Sequence, residues 1–192
     1  MNELSLAAAQ ADMRQGHRHG APGVLASGLV WLTAAAVAQW AQATSAVWTL
    51  LLGGAFIYPL GVMLAKGLGH PGRNRVDNPL AGLAIEGTLW MLAGIAVAVG
   101  LQALRLEWFF PAMLLTIGGR YLTFQTIYGL RIYWVLGAVL CAAGLALGLA
   151  RAPVAQGAFA GAAIEIVFAA AIFWRARRDA AAQGLKPPLR PQ

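Results

Sequence analysis

Three ionisable residues stand inside long apolar runs of this 192-residue chain: Glu86, Arg120 and Glu165. A charge at the middle of a membrane helix costs at least ~2.5–3.5 kcal/mol on insertion scales, so isolated placement against lipid is disfavoured. The spacing therefore predicts that Arg120 pairs with Glu86 or Glu165 inside a bundle. One guanidinium satisfies only part of the demand of two carboxylates. The acid left less well paired should keep its proton near neutrality, because desolvation disfavours its charged form. Such a group can carry a proton during transport, and Arg120 can serve as an anion contact. The bland alternative is a structural ion pair that fixes helix register.

Around Arg120 the chain reads G-G-R-Y-L-T-F-Q-T-I-Y-G over Gly118–Gly129. Tyr121, Thr123, Gln125 and Thr126 give this run a polar content that a purely structural span does not need. Tyr121 and Gln125 are one turn apart and share a face, with Gln125 somewhat off the face of Arg120. The pair Gly118-Gly119 permits close packing or a local break. Tyr58-Pro59 lies ~12 Å from the end of its own span, where proline frees a backbone carbonyl. The candidate substrate-binding set is Arg120, Glu86, Glu165, Tyr121, Gln125 and Tyr58. No catalytic residue is nominated, since no nucleophile elbow, Walker motif, H-E-x-x-H or dinucleotide fingerprint is present. No cofactor is implied. Three histidines without acidic or cysteine neighbours at ligand spacing give no metal site.

Composition fixes what must hold these residues. The chain is 59% hydrophobic and 11% charged, with mean hydropathy +0.65. Soluble domains carry about 25% charged residues, so this chain has too few to cover a soluble surface. Six continuously apolar runs, each near the ~20 residues that cross a bilayer, predict helices rather than barrel strands. They are placed at Val24–Gln42, Val47–Lys66, Leu80–Leu101, Phe109–Tyr128, Ile132–Ala150 and Val154–Trp174. Asn78 should cap the third, with Pro79 at its first position. The first run exceeds the 7–15 residues of a signal-peptide core and is read as a span.

The division is then 1–23 as a cytoplasmic N-terminal segment, 24–174 as the six-helix domain, and 175–192 as a basic tail. A short interfacial helix is expected over the first dozen residues. By rise per residue, Glu86, Arg120 and Glu165 fall ~9, ~12 and ~14 Å from the cytoplasmic ends of their spans, a common level. Arg14, Arg18, Lys66, Arg73, Arg75, Arg131 and the basic tail fall on one side, and only Arg105 and Arg151 on the other. That asymmetry places both termini in the cytoplasm. Trp40, Trp48 and Trp108 then mark the outer interface, and Trp134 and Trp174 the inner one.

The net charge of +7 does not signal nucleic acid, because the basic residues flank apolar spans. The loop Lys66–Asn78 either fixes topology or gathers lipid phosphates and anions. Gly144-x-x-x-Gly148 and Gly157-x-x-x-Gly161 let helices approach, within the bundle or across a homo-oligomer face. Gly82-Leu83-Ala84-Ile85-Glu86 is echoed by Gly161-Ala162-Ala163-Ile164-Glu165, as two inverted three-helix halves would produce. The lone Cys141 forms no internal disulfide.

The motifs G-G-A-F-I-Y-P-L-G, N-P-L-A-G-L and G-G-R-Y-L-T-F-Q-T-I-Y-G-L, at Leu52–Lys66, Asn78–Leu83 and Gly118–Trp134, resemble a family of small bacterial multi-spanning membrane proteins of unknown function. The resemblance implies a bacterial cytoplasmic (inner) membrane and transfers no activity. The sequence thus predicts an all-α polytopic bundle with both ends inside, its partners membrane lipids and a small solute or proton. Two rivals stand beside that reading: an accessory subunit without transport, and a lipid-modifying enzyme.

Overall fold

A computed structural model describes residues 4–184 of the chain. Seven α-helices are formed among them: α1 (Leu6–His17), α2 (Ala21–Trp40), α3 (Ala43–Gly67), α4 (Leu80–Leu104), α5 (Phe109–Tyr128), α6 (Ile132–Leu149) and α7 (Val154–Gly184). No strand is present among the described residues. The six expected spans correspond to α2–α7. Asn78 Oδ1 accepts the Leu80 amide at 3.0 Å, the cap anticipated at the start of α4. The sixth expected span, α7, runs on past Trp174, so the first part of the basic tail is helical. Lys186 and Arg190 lie outside the described residues.

Five of the six long helices have the length and apolarity to cross a membrane. The exception is α5, whose Arg120, Thr123, Gln125 and Thr126 lower its apolar character. It spans the same number of residues as α2 and is enclosed by neighbours.

Helix pairing has a repeating logic. α2 packs on α3 and α7, and α5 packs on α6 and α4. The first helix of each half thus pairs with the second helix of its own half and the third of the other. This is the pairing an inverted three-helix repeat generates. It breaks at two places: α5 touches α7 but α2 does not pack on α4, and α6 touches α7 whereas α3 and α4 are not packed against each other. A lateral gap is left between them.

Close approach, rather than hydrophobic drive, holds helices together in lipid. At the α5–α6 crossing, a Cβ on Gly118 would lie 2.8 Å from the Gly137 carbonyl oxygen. Gly144 packs on Pro111, Gly157 on Phe110 and Gly161 on the Trp31 ring. Both small-residue motifs are therefore spent inside the bundle. No helix break occurs at Gly118-Gly119.

The helix expected near the N-terminus is α1, and it does more than lie at an interface. Its Ala9, Met13 and Gly16 are buried, at the i, i+4, i+7 spacing of one face. Polar side chains on α1 and around it tie together the ends of four other helices. Gln10 Nε2 donates to the Thr126 carbonyl at 2.8 Å and Arg14 Nη1 to the Tyr128 carbonyl at 2.6 Å. These are orphan acceptors of the last turn of α5, where Gly129 takes the left-handed conformation at φ 66°. Asn78 Nδ2 donates to Ala9 O and to Asp12 Oδ2. His70 Nδ1 pairs with the Gln15 carbonyl and its Nε2 with Arg18. The basic loop after α3 is thus partly consumed in seating α1. Between α1 and α2 the chain turns through Arg18, His19 and Gly20, all at positive φ, and Tyr133 Oη donates to the His19 carbonyl at 2.6 Å.

Candidate functional site

α5 is the partition on which the site is built. Successive residues of a helix point ~100° apart, so Arg120 and Tyr121 address different neighbours. Arg120 turns toward α4. Its Nη2 donates to Thr88 Oγ1 at 3.2 Å, its Nη1 lies 2.8 Å from Met91 Sδ, and its Cζ stands 5.5 Å from the Phe124 ring centroid. Nε is buried without a partner. Tyr121 and Tyr128 are its electrostatic neighbours, and neither phenol is a counter-ion. Thr88 and Met91, three apart, present one face of α4 to the guanidinium.

Tyr121 turns the other way, into the core beside Glu165 of α7. Glu165 is 0% exposed, packed against Gly28 of α2. The hydroxyls of Ser27 and Tyr121 approach its carboxyl, yet neither carboxyl oxygen completes a hydrogen bond. A carboxyl so placed costs least as the neutral acid.

The predicted ion pair is therefore not formed. Among the described residues, the ion pairs are His19–Asp179, Arg75–Asp77 and Arg105–Glu107. Arg120 and Glu165 do share a level, since Tyr121 adjoins the acid and follows Arg120 in the chain, but α5 separates them. Glu86 fails for a simpler reason. It lies two residues, or ~200° of rotation, from Thr88, and so is exposed on the outer face with Leu89, Trp90 and Ala93.

Of the remaining candidates, Tyr58 is 73% exposed on α3. Gln125 is half-buried and Tyr121 fully so. Thr123 donates to the Arg120 carbonyl at 2.7 Å, an ordinary backbone bond of a helical threonine. Residues that sequence reasoning missed are Ser27, Thr88, Met91 and Phe124. Phe124 was within reach, since i, i+4 spacing from Arg120 puts its ring over the guanidinium. Tyr121, Phe124, Tyr128 and Tyr133 form one aromatic cluster, with Tyr121 and Tyr128 each stacked on Tyr133 at 6.1 and 5.3 Å between centroids. No cluster of potential metal ligands occurs among the described residues.

The fold and these buried polar groups define a polytopic helical membrane protein. More narrowly, the chain belongs to a family of unknown function (DUF7010), which matches residues 6–175. The resemblance seen in its motifs, to multi-spanning proteins without an assigned role, agrees with that membership. No curated protein and no solved structure matches the chain.

Proposed function

We propose that this protein, seated in a bacterial cytoplasmic membrane with both ends inside, binds the anionic group of a small solute or lipid headgroup at Arg120. The observation that carries the reading is a largely buried guanidinium without a carboxylate partner. Its contacts are a hydroxyl, a thioether and an aromatic ring, all neutral. A cation held that way within a bilayer has an unmet demand for an anion. The gap between α3 and α4 offers lateral entry, and α1, which packs on both helices, closes its end. The Thr88 hydroxyl, which donates to the Ala84 carbonyl, accepts from Arg120 and holds the guanidinium in place. Glu165 holds a proton on the far side of α5, where it can exchange only if the bundle opens. Coupling between the two sites would make uptake depend on a pH gradient.

A second reading draws on the same acid: a carboxyl buried this completely suits an accessory subunit whose polar groups only set helix register. Uptake of anionic solutes into proteoliposomes, with and without a pH gradient, separates the two. Anion binding is expected to vanish in Arg120→Ala and to be weakened in Arg120→Lys, which lacks the guanidinium fork. Glu165→Gln is expected to abolish the gradient dependence. Binding that is indifferent to Arg120 would overturn the proposal.

A further inference from the structure

A cluster of basic side chains, distinct from Arg120, lies where α6 begins and α7 leaves the span. There a cavity of about 350 Å³ is lined by Ile132, Ala171, Trp174, Arg175, Arg178 and Asp179. The lining also holds Asp179, whose Oδ2 lies 3.3 Å from His19 Nε2, so two guanidinia outnumber one carboxylate. Arg175 and Arg178 have no acidic partner within 4.0 Å among the described residues. Arg178 is not loose: its Cζ sits 3.7 Å from the Trp174 ring centroid, a stacking that holds the planar fork in place. Ile132, the first residue of α6, lines the same space, while the amides of Tyr133 and Trp134 behind it are held by the Leu130 and Arg131 carbonyls. Two guanidinia converge on one pocket, and each favours a phosphate.

The surroundings select the source of that phosphate. Trp174 is the kind of amphipathic ring that settles at headgroup level, and it is 58% exposed. Ile132 and Ala171 give the pocket an apolar floor on the side of the span. The geometry points to a site for the phosphate of an anionic membrane phospholipid, with the headgroup between Arg175 and Arg178 and the glycerol end against Ile132 and Ala171. Basic pockets between helix ends are where such headgroups bind.

The test titrates the purified full-length protein in a neutral detergent with short-chain phosphatidylglycerol, short-chain phosphatidylcholine and inorganic phosphate, read by native mass spectrometry. Saturable binding of phosphatidylglycerol is expected, with phosphatidylcholine at least tenfold weaker. Arg175→Gln combined with Arg178→Gln should weaken it about thirtyfold, the loss of two cation–phosphate attractions. Both side chains lie at the surface, and circular dichroism verifies that the variant is folded. The paired lysine variant should retain part of the binding, and the loss in the double glutamine variant should be the same in an Arg120→Ala background, which lacks the anion binding proposed above. Equal binding of the two lipids overturns the proposal, as does indifference to the double substitution. Displacement by inorganic phosphate at concentrations comparable to the lipid would also sink it, by showing a free-phosphate site.

Discussion

Replacing Arg120 by methionine, a side chain of similar length without charge, tells a lone cation from half of an ion pair. The wild-type side chain gives up a hydrogen bond to Thr88 at 3.2 Å, a contact to Met91 Sδ and a cation–π contact to Phe124 at 5.5 Å. The hydrogen bond is worth about 0.5–1.5 kcal/mol, and the ring contact about 0.5–2 kcal/mol. Against this, methionine removes an insertion penalty of about 2.5–3.5 kcal/mol. The terms nearly cancel, so Arg120→Met should change unfolding free energy by about 1 kcal/mol or less. Breaking a buried ion pair would instead destabilise by about 3–5 kcal/mol. Denaturant unfolding in mixed micelles, for wild type, Arg120→Met, Glu165→Gln and the double variant, measures both the effect and the coupling. Coupling should stay below about 0.5 kcal/mol, as for sites without a shared contact. A loss of 3 kcal/mol or more in the single variant, recovered in the double, would refute the reasoning.

Three further outcomes follow from the same geometry. Arg14→Ala leaves the Tyr128 carbonyl without its donor and should lower stability by about 1.5 kcal/mol, with faster amide exchange confined to the end of α5 and to α1. Burial lowers the pKa of His17 and His19 below the ordinary 6.5, partly opposed by Asn74 and Asp12 at the first and by Asp179 at the second. The folded state therefore resists protonation. The stability these residues lend is present above pH 6.5 and is lost as pH falls toward their folded values; melting curves at pH 7.5 and 5.0 should show it, and the His17→Gln, His19→Gln protein should not. In a Cys141→Ala background, Ala103→Cys should react with a membrane-impermeant maleimide on intact cells, whereas Ala7→Cys and Ala180→Cys should not; the reverse pattern would invert the topology.

The spans were legible because hydrocarbon demands long apolar runs, and that demand is written residue by residue. α5 begins and ends at Phe109 and Tyr128 as expected. What was not legible is which neighbour each helix face meets. Nearly every face of these helices is apolar, so the sequence carries no stripe to orient them, and a common level for Glu86, Arg120 and Glu165 does not by itself bring them into contact. The angular positions were available: Glu86 lies off the face of Thr88, and Arg120 off the face of Tyr121. The partner that each face would meet was not. Ser27 and Thr88 became site residues through packing alone. The N-terminal segment was harder still, because its anchors are backbone carbonyls of Thr126 and Tyr128, which no residue type announces.

That segment bears on how the protein is assembled. α1 leaves the ribosome before α2–α7, yet its seat is composed of the loop after α3, the start of α4 and the end of α5, while the turn beyond it rests on Tyr133 and Asp179. This segment must wait for helices made after it to be inserted before it can dock. Until then the α3–α4 gap has no floor, and the maturing bundle is open at the end that α1 will close.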